Sequence, residues 1–268
     1  MVDGKSKVVV ITGAASGLGK ALAIEYYNIG CHLALIDIDK EGLQELHEEL
    51  KLNSHVSIHI CDVADEMQVQ YAKEEILQYH ERVDVLFNNA GVSISLPFEK
   101  MDTVAFKRLW DINFWGTVYC TQQFLPMLRQ QSTATIVNII SVFAFMGFPG
   151  KTAYGASKTA IAGFSAALRT ELLKTNVKVS LVTPPPLHTN IVKNCIHIDE
   201  EKRAKEIAFL KKNGIPIDIA ARKIVRQVSK GKRYVTIDMK TKMAVWASKL
   251  FPSLMQYFIN RSSKELGF

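Results

Sequence analysis

The chain has 268 residues, of which 48% are apolar and 22% are charged, with 15 Gly and 8 Pro. This composition excludes a disordered, collagen-like or low-complexity protein, and the length is sufficient for the core of one large α/β domain. The formal net charge of +7 is unevenly distributed, because residues 201–268 hold 16 Lys/Arg against 5 Asp/Glu and residues 1–200 hold 17 against 21. The basic character is therefore confined to the last quarter of the chain.

The cysteines and the N-terminal residues indicate the compartment. Cys31, Cys61, Cys120 and Cys195 lie far apart with no paired spacing, which favours a reducing environment over a disulfide framework. The first residues lead into a strand-like run without the apolar stretch of a signal peptide, and no run of about 18 uncharged apolar residues follows. We expect a cytoplasmic protein that is not secreted. The histidines show no metal-binding pattern, so no metal is expected.

Strand-like and helical segments alternate along most of the chain. Short runs rich in β-branched residues predict strands at 7–12, 32–37, 55–60, 83–89, 134–140, 178–183 and 234–238. Helical patterns fall at 17–30, 40–52, 65–81, 102–130, 154–175 and 216–230. This alternation predicts an α/β fold with a doubly wound parallel sheet. We predict one domain over residues 1–238, with a lid at about 185–215 that contains a helix at 199–214, and a tail at 239–268.

A glycine-rich turn follows the first strand and opens the first helix. Glycines at such a turn let the backbone approach a pyrophosphate, and the helix N-terminus offers unpaired N–H groups. A tight turn with no ligand would also favour glycine. The candidate cofactor-binding residues here are Gly13, Ser16, Gly17, Leu18 and Gly19.

The ends of the next three strands extend this candidate cofactor site. Asp37 ends the second strand, 18 residues beyond Gly19, where a carboxylate accepts hydrogen bonds from an adenosine ribose and repels a 2′-phosphate. The apolar Ile38 follows, and no Arg or Lys occupies the turn before Gly17, so NAD(H) is favoured over NADP(H). The third and fourth strands end in residues that could line an adenine slot, or form ordinary turns: Asp62, Val63, Asn89, Ala90 and Gly91.

Tyr154 and Lys158 are the strongest chemical signal. Their spacing of four places them on one helix face, where the ammonium is expected to lower the pKa of the phenol and make it a usable acid and base. Ser141 ends the fifth strand 13 residues upstream, where its hydroxyl could hold a carbonyl oxygen beside Tyr154. A lone Tyr-x-x-x-Lys is common on helix surfaces. The pair indicates a catalytic role only in combination with the dinucleotide turn and the strand-ending serine.

These motifs, with the NNAG run and Asn113 in INFWG, resemble in order and spacing the short-chain dehydrogenases/reductases over residues 5 to about 240. The resemblance implies a seven-stranded Rossmann-like sheet of order 3-2-1-4-5-6-7, and hydride transfer between nicotinamide and a substrate carbon. It also implies that Tyr154 exchanges a proton with the substrate oxygen, while Lys158 tunes Tyr154 and holds the nicotinamide ribose. Ser141 would orient the carbonyl, and Asn113 would support a water-linked proton relay. Family members are often dimers or tetramers, so a homodimer or homotetramer is expected.

One motif departs from the family pattern. After the sixth strand the family usually shows Pro-Gly and then a Thr that contacts the carboxamide, whereas this chain has Pro184 and Pro185 before Thr189. The resemblance implies cofactor contacts for Pro184 and Thr189. Pro185 fixes φ and is expected to stiffen the entry to the lid.

The loop after Ser141 carries the substrate prediction. In the resembled family this loop lines the substrate pocket, and here it contains Phe143, Phe145, Met146 and Phe148. These side chains favour a bulky apolar alcohol or ketone over a sugar, although they could also simply pack under the lid. His188 in the lid could touch substrate, or could be solvated.

The tail combines an apolar stripe with basic residues. Lys240, Lys242, Lys249, Arg261 and Lys264 accompany the stripe, and Pro252 permits a break. Such a segment can lie on an anionic membrane surface, or it can pack on the sheet domain or a sister subunit. Nucleic-acid binding fits the charge but lacks a recognition motif, so it is not expected. The stripe consists of Met243, Trp246, Ala247, Leu250, Phe251, Leu254, Met255, Phe258 and Ile259.

Taken together, the sequence predicts an NAD(H)-dependent oxidoreductase that interconverts a hydrophobic secondary alcohol and a ketone or aldehyde. The alternative within the enzymes is a 3-oxoacyl reductase, whose acidic carrier or CoA substrate could use the basic lid. A different class, a non-catalytic dinucleotide-binding scaffold, is disfavoured by the intact set of Asn113, Ser141, Tyr154 and Lys158.

Overall fold

A seven-stranded parallel sheet forms the centre of the fold in the computed structural model, which describes residues 7–50, 55–188, 195–197 and 200–265. The strands lie side by side in the order β3-β2-β1-β4-β5-β6-β7, which confirms the predicted topology. Each predicted strand is present, with ends that differ by no more than two residues. The strands are β1 (Val8–Thr12), β2 (His32–Asp37), β3 (Val56–Ile60), β4 (Val85–Asn88), β5 (Ala134–Ile139), β6 (Val177–Thr183) and β7 (Tyr234–Thr236).

Ten helices flank or extend this sheet in the described residues. Several begin at an aspartate whose carboxylate accepts a backbone N–H of the first turn, as Asp39, Asp65 and Asp102 do. The helices are α1 (Gly17–Asn28), α2 (Lys40–Glu49), α3 (Glu66–His80), α4 (Thr103–Trp110), α5 (Gly116–Gln130), α6 (Thr152–Glu171), α7 (Glu200–Asn213), α8 (Ile217–Val228), α9 (Met239–Leu250) and α10 (Pro252–Glu265).

Both faces of the sheet are buried, which explains the continuous apolar runs of the strands. Val9 and Ile11 of β1 belong to a cluster with residues of α1, α2 and α8, whereas Val10 belongs to a cluster with residues of α3, α5 and α6. The carboxyl ends of β1, β2, β4 and β5 are thereby fixed along one edge of the sheet, where ligands bind in open α/β sheets.

The predicted helix at 102–130 is interrupted, which corrects the sequence-based expectation. Residues Asp111–Trp115 between α4 and α5 form a π-helical turn, in which Gly116 N donates a hydrogen bond to Asp111 O five residues earlier. An added Cβ at Gly116 would lie 2.8 Å from Val63 Cγ2, so a larger residue would force the helix away from the end of β3. The wider turn carries the buried Asn113.

The predicted lid is bounded by a local pairing of its two ends. Leu187 and Ile215 form a parallel bridge, and Ile215 N donates a hydrogen bond of 2.9 Å to Pro186 O. Pro185 is buried at this entry. The predicted lid helix is present as α7, and the two-residue strands Ile94–Ser95 and Ile196–His197 pair beside it. Thr189 lies outside the described residues, so its predicted carboxamide contact stays a prediction.

The tail forms two helices that separate at Phe251, because Pro252 begins α10. This confirms the predicted break at Pro252. Thr241, Ile259 and Ser263 are buried, so each tail helix has a side that packs inward. Among the described residues, no helix combines the length and apolar character required to cross a bilayer.

Candidate active site

The Gly-rich turn between β1 and α1 makes close backbone contacts. Gly13 and Gly17 have φ values of +66° and +54°, in the left-handed region that favours glycine. A Cβ at Gly13 would lie 2.8 Å from Ala90 Cα, and one at Gly19 would collide with Gly13 O. The first turn of α1 therefore packs directly on the glycine turn, with the orphan N–H groups of the helix N-terminus beside it.

Thr12 and Asn89 fix this turn against the end of β4. Thr12 Oγ1 accepts hydrogen bonds of 3.0 Å from Asn89 N and Ala90 N and donates to Phe87 O. Asn89 Nδ2 donates to Thr12 O and Gly13 O. The Asn89 amide, predicted as a cofactor contact, thus shapes the turn. Sequence reasoning missed the role of Thr12, although a hydroxyl at the strand end opposite the NNAG run was an available signal.

Asp37 lies beside the same turn, as its place at the end of β2 predicted. Its Oδ2 accepts a hydrogen bond of 2.9 Å from Ala15 N, and its Oδ1 accepts one of 3.1 Å from Asp39 N. The carboxylate is partly exposed and each oxygen keeps a free lone pair for a further donor. Ile38 is 62% exposed next to it.

Asp62 and Val63 occupy the end of β3 in different ways. The Asp62 carboxylate accepts from Ala64 N and forms a 2.5 Å ion pair with Arg108, which ties this strand end to α4. Val63 is buried against Gly116. Both residues lie at the end of β3, and their predicted contact with an adenine stays a prediction.

Tyr154 lies on the buried face of α6 and is 8% exposed. Burial raises the pKa of its phenol to about 12, while a hydrogen bond with Ser141 acts in the opposite direction. The net shift of the pKa is opposite to the predicted lowering, because desolvation of the phenolate outweighs the hydrogen bond with Ser141 and the nearby Cys195 raises the pKa further. The phenol is therefore protonated at neutral pH, the form that can donate a proton to a carbonyl oxygen.

Lys158 is on the same helix face as Tyr154, as predicted. Its Nζ lies 5.8 Å from the centroid of the Tyr154 ring and donates a 3.1 Å hydrogen bond to Ile139 O. Burial lowers the pKa of Lys158 to about 8. An added Cβ at Gly91 would lie 3.3 Å from Lys158 Nζ and 3.1 Å from Asn113 Oδ1, so the loop after β4, the π turn and α6 meet at this point.

Asn113 joins these three segments through its side chain. Its Oδ1 accepts from Val92 N at 2.9 Å, and its Nδ2 donates to Val92 O and to Ser157 Oγ at 3.0 Å each. Asn113 is fully buried. Its amide thus holds the 91–92 loop beside Lys158, and the water-linked relay stays a prediction.

Comparison with known proteins agrees with this geometry. The family model described as short chain dehydrogenase matches residues 7–199. The chain belongs to the short-chain dehydrogenases/reductases. It is therefore an oxidoreductase acting on CH–OH groups with a nicotinamide dinucleotide, and the glycine turn, whose close contacts leave no room for side chains, fits the pyrophosphate of such a cofactor.

Individual members show how far the similarity extends. The chain is 33% identical over 264 residues to the 11-beta-hydroxysteroid dehydrogenase A of Sesamum indicum, covering 95% of this chain and 75% of that protein. It is 34% identical over 186 residues to the 3-oxoacyl-[acyl-carrier-protein] reductase FabG of Thermotoga maritima, covering 69% and 76%. A solved short-chain dehydrogenase/reductase from Burkholderia phymatum, in complex with NAD, superposes with a TM-score of 0.88 at 23% identity, covering 96% and 97%. The last likeness concerns the fold.

In this short-chain dehydrogenase/reductase, the three predicted substrate-lining phenylalanines have different neighbours. The Phe143 ring lies 6.2 Å from the Tyr154 ring and 5.6 Å from that of Phe148. Phe145 instead packs in a cluster with Ile140 and Ile161. Phe143 is thus the phenylalanine that borders the reactive phenol.

A cavity of about 550 Å³ lies outside this loop. Its walls include Phe143, Phe145 and Phe148, the Gly155 side of α6, and Gln256 of α10. This side of α6 differs from the one that carries Tyr154 and Lys158, and Phe143 borders both the cavity and the Tyr154 ring. His188 is exposed, with its ring near Gly214, and its substrate contact stays a prediction.

A buried ion pair near Tyr154 was missed by sequence reasoning. Glu206 of α7 accepts from Ser95 Oγ at 2.6 Å and from Lys151 Nζ at 3.2 Å, and both charged groups are buried. Lys151 precedes Tyr154 by three residues. No local pattern distinguishes Glu206 from the other glutamates of α7. This contact holds the lid helix against the segments that border the active site.

Proposed function

We propose that this protein is an NAD(H)-dependent oxidoreductase that interconverts a hydrophobic secondary alcohol and its ketone, or an aldehyde. The observation that carries the proposal is the buried Tyr154, which is hydrogen-bonded to Ser141, bordered by the apolar ring of Phe143 and on one helix face with Lys158. A carbonyl oxygen placed between the two hydroxyls would accept hydrogen bonds from both.

The proposed mechanism assigns one task to each group. A nicotinamide dinucleotide held at the glycine turn and beside Asp37 would supply the hydride in reduction and accept it in oxidation. Tyr154 gives its phenolic proton to the carbonyl oxygen as the carbon becomes tetrahedral, and takes it back in the reverse reaction. Ser141 orients the oxygen. The ammonium of Lys158 stabilises the phenolate that remains.

The preference for NAD(H) rests on Asp37. A carboxylate beside the turn accepts hydrogen bonds from a ribose and repels a 2′-phosphate. Measured kcat/KM should be at least tenfold higher with NADH than with NADPH. Asp37→Ser should reduce this ratio chiefly by lowering kcat/KM for NADH. Equal use of both cofactors by the wild-type enzyme would contradict the preference.

The acyl-carrier alternative depends on free cations in the lid. In α7, Lys205 pairs with Glu201 at 2.7 Å and Arg203 with Glu200 at 2.6 Å, so part of its positive charge is balanced within the helix. This favours an uncharged apolar substrate. A panel of apolar ketones and 3-oxoacyl thioesters separates the two, because the alternative requires higher kcat/KM for the thioesters.

Tyr154→Phe tests the mechanism. We expect turnover to fall at least a thousandfold, because the proton donor is lost, while the Kd for NADH changes less than threefold. Tyr71→Phe, at an exposed tyrosine of α3, is the matched control and should keep full turnover. Full activity of Tyr154→Phe would overturn the mechanism. NADH binding by the wild-type protein without turnover of any substrate in the panel would support the scaffold instead.

We also propose that the enzyme is a homodimer or homotetramer that associates through α5 and α6. Small side chains on the exposed side of α6, including Ala156, Gly163 and Ala166, would allow two helices to approach closely. Analytical ultracentrifugation should show a dimer or tetramer for the wild type and a smaller species for Ala166→Arg. A wild-type monomer would contradict this proposal.

A further inference from the structure

The tail helices expose large apolar side chains instead of burying them. Trp246 and Tyr257 are each 62% exposed, whereas soluble proteins rarely expose several large apolar side chains on one surface. We define the tail surface as Met239, Met243, Trp246, Leu250, Phe251, Leu254, Tyr257 and Phe258, all of which are exposed.

The spacing of these residues makes the surface continuous along α9. Met239, Met243, Trp246 and Leu250 recur every three or four residues and therefore share one helix face. The Trp246 ring lies 6.4 Å from that of Phe251, in an edge-to-face arrangement, so the surface continues from α9 into the junction with α10.

The charge of the tail helices is predominantly positive. Lys240, Lys242, Lys249 and Arg261 are exposed on the tail helices. The tail at 239–268 holds five Lys/Arg against one acidic residue, Glu265. A two-fold contact between copies of this surface would bring lysines of one chain against lysines of the other, with a single glutamate in each tail to balance them.

We infer that the tail surface docks onto an anionic lipid bilayer, with its apolar side chains in the headgroup region and its cations on the lipid charges. Three features fit this partner together. The tail helices expose apolar side chains beside cations, Trp and Tyr suit a boundary between apolar and wet regions, and the net positive charge complements anionic lipids. A neutral protein partner would leave the cations unexplained.

The position of the tail relates this surface to the active site. Lys249 Nζ lies 4.9 Å from the centroid of the Phe145 ring, and Gln256 Nε2 lies 3.5 Å from Gly147 O. The bilayer would therefore meet the enzyme beside the loop and the 550 Å³ cavity that Gln256 helps to line. This step rests on the proposed function: a membrane-dissolved alcohol or ketone would reach the loop without crossing water.

Vesicle flotation of the full-length protein tests the inference. Vesicles of phosphatidylcholine with one third phosphatidylglycerol should carry the wild-type protein upward, and pure phosphatidylcholine vesicles should bind at least tenfold less. Trp246→Gln with Leu250→Gln should lower binding to the anionic vesicles at least tenfold. Met67→Gln with Tyr71→Gln, an exposed pair at the same spacing on α3, is the matched control and should bind like the wild type.

A charge variant and a fluorescence measurement sharpen this test. Lys240→Gln, Lys242→Gln and Arg261→Gln together should reduce binding to anionic vesicles at least tenfold and leave the weak binding to neutral vesicles unchanged. The tryptophan fluorescence of the Trp115→Phe variant, which retains the exposed Trp246, should shift to shorter wavelength when the protein binds anionic vesicles. Failure of the wild type to float, or unchanged flotation of the Trp246/Leu250 variant, would overturn the inference. So would a dimer that forms through Trp246 and Leu250 and does not bind vesicles.

The proposed entry of a membrane-dissolved substrate is tested by a separate measurement. In the Trp246/Leu250 variant, kcat/KM for a long-chain ketone carried in anionic vesicles should fall at least fivefold, while that for a short water-soluble ketone is unchanged. Vesicle binding without any turnover would overturn the proposed function alone. Turnover without vesicle binding would overturn the docking inference alone.

Discussion

The glycine turn and the tail surface differ in whether their atoms make contacts within the chain or face solvent. At the turn, Thr12 Oγ1 makes three hydrogen bonds, Asn89 Nδ2 makes two, and Gly13 leaves no room for a Cβ beside Ala90. In the tail, large side chains such as Trp246 end in solvent. The turn is determined by contacts within the chain, whereas the tail surface has the character of a contact with something outside it.

This difference has an energetic consequence. Where the chain itself determines a conformation, one added methyl group or one lost hydrogen bond must be absorbed by closely packed neighbours. Where side chains are exposed, replacing them changes the stability of the isolated protein little. Substitutions in the two regions should therefore separate stability from binding, and the following predictions test that separation.

Gly13→Val should have the largest effect. Its φ of +66° is unfavourable for valine, and its Cβ would lie 2.8 Å from a backbone atom of Ala90. Strain and overpacking together cost on the order of 4 kcal/mol. We expect the affinity for NADH, measured by fluorescence titration, to fall at least a thousandfold.

Gly163→Ala is the control for that substitution. No described atom lies within 4 Å of a Cβ at Gly163, which is in the interior of α6. Alanine should therefore leave NADH affinity unchanged. Equal losses of affinity in both variants would show that the turn is not specially constrained.

Asn113→Ala should have the second-largest effect, and this effect should be mainly on stability. It would remove three hydrogen bonds to Val92 and Ser157 and leave buried partners unsatisfied. The free energy of unfolding in urea should fall by about 3 kcal/mol. Gln122→Ala, at an exposed position of α5, should change it by less than about 0.5 kcal/mol. A loss of turnover with unchanged stability would instead indicate that Asn113 acts only in the proton relay.

A buried histidine predicts a pH dependence of moderate size. His80 is buried at the edge of the sheet, with Nε2 2.8 Å from Ser57 Oγ, and burial with neighbouring histidines lowers its pKa to about 4. Between that value and the usual value of about 6.5, the unfolded chain binds more protons, so stability falls as the pH decreases.

His80→Gln measures this contribution. From pH 7 to pH 5 the wild type should lose about 2 kcal/mol of unfolding free energy through His80, and the variant should lose that much less. The buried His59, whose pKa burial also lowers, keeps part of the slope in the variant. Identical slopes would show that His80 titrates alike in the folded and unfolded chains.

The features that were predicted from the sequence are those with a local pattern. Strand order follows from the alternation of apolar runs and helices, and the spacing of Tyr154 and Lys158 fixes their common helix face. The pKa of Tyr154 could not be predicted, because it depends on how much protein surrounds the phenol. The π turn at Asn113 is followed by a close contact of Gly116 with Val63, two residues that lie far apart in the sequence.

Long-range charge contacts and surface exposure could not be predicted from the sequence either. Glu206 pairs with Lys151 across 55 positions, so only the fold brings them together. The tail stripe was compatible with packing on the core, on a sister subunit or on a membrane, because periodicity shows that a helix has two faces and not which one is covered. The structure buries Ile259 and exposes Trp246, so one part of the stripe packs on the protein and the other part faces solvent.

The smallest expected effect on the free energy of unfolding belongs to the tail surface. Trp246→Gln with Leu250→Gln keeps helix propensity and removes only exposed apolar area, so the free energy of unfolding should change by less than about 0.5 kcal/mol. Ile259→Ala, on the buried side of α10, should cost about 2–3 kcal/mol. If both substitutions destabilise equally, the tail surface is part of the core. If only Ile259→Ala does, large apolar side chains are kept in water without benefit to folding, and a partner such as the bilayer is the physical reason for their presence.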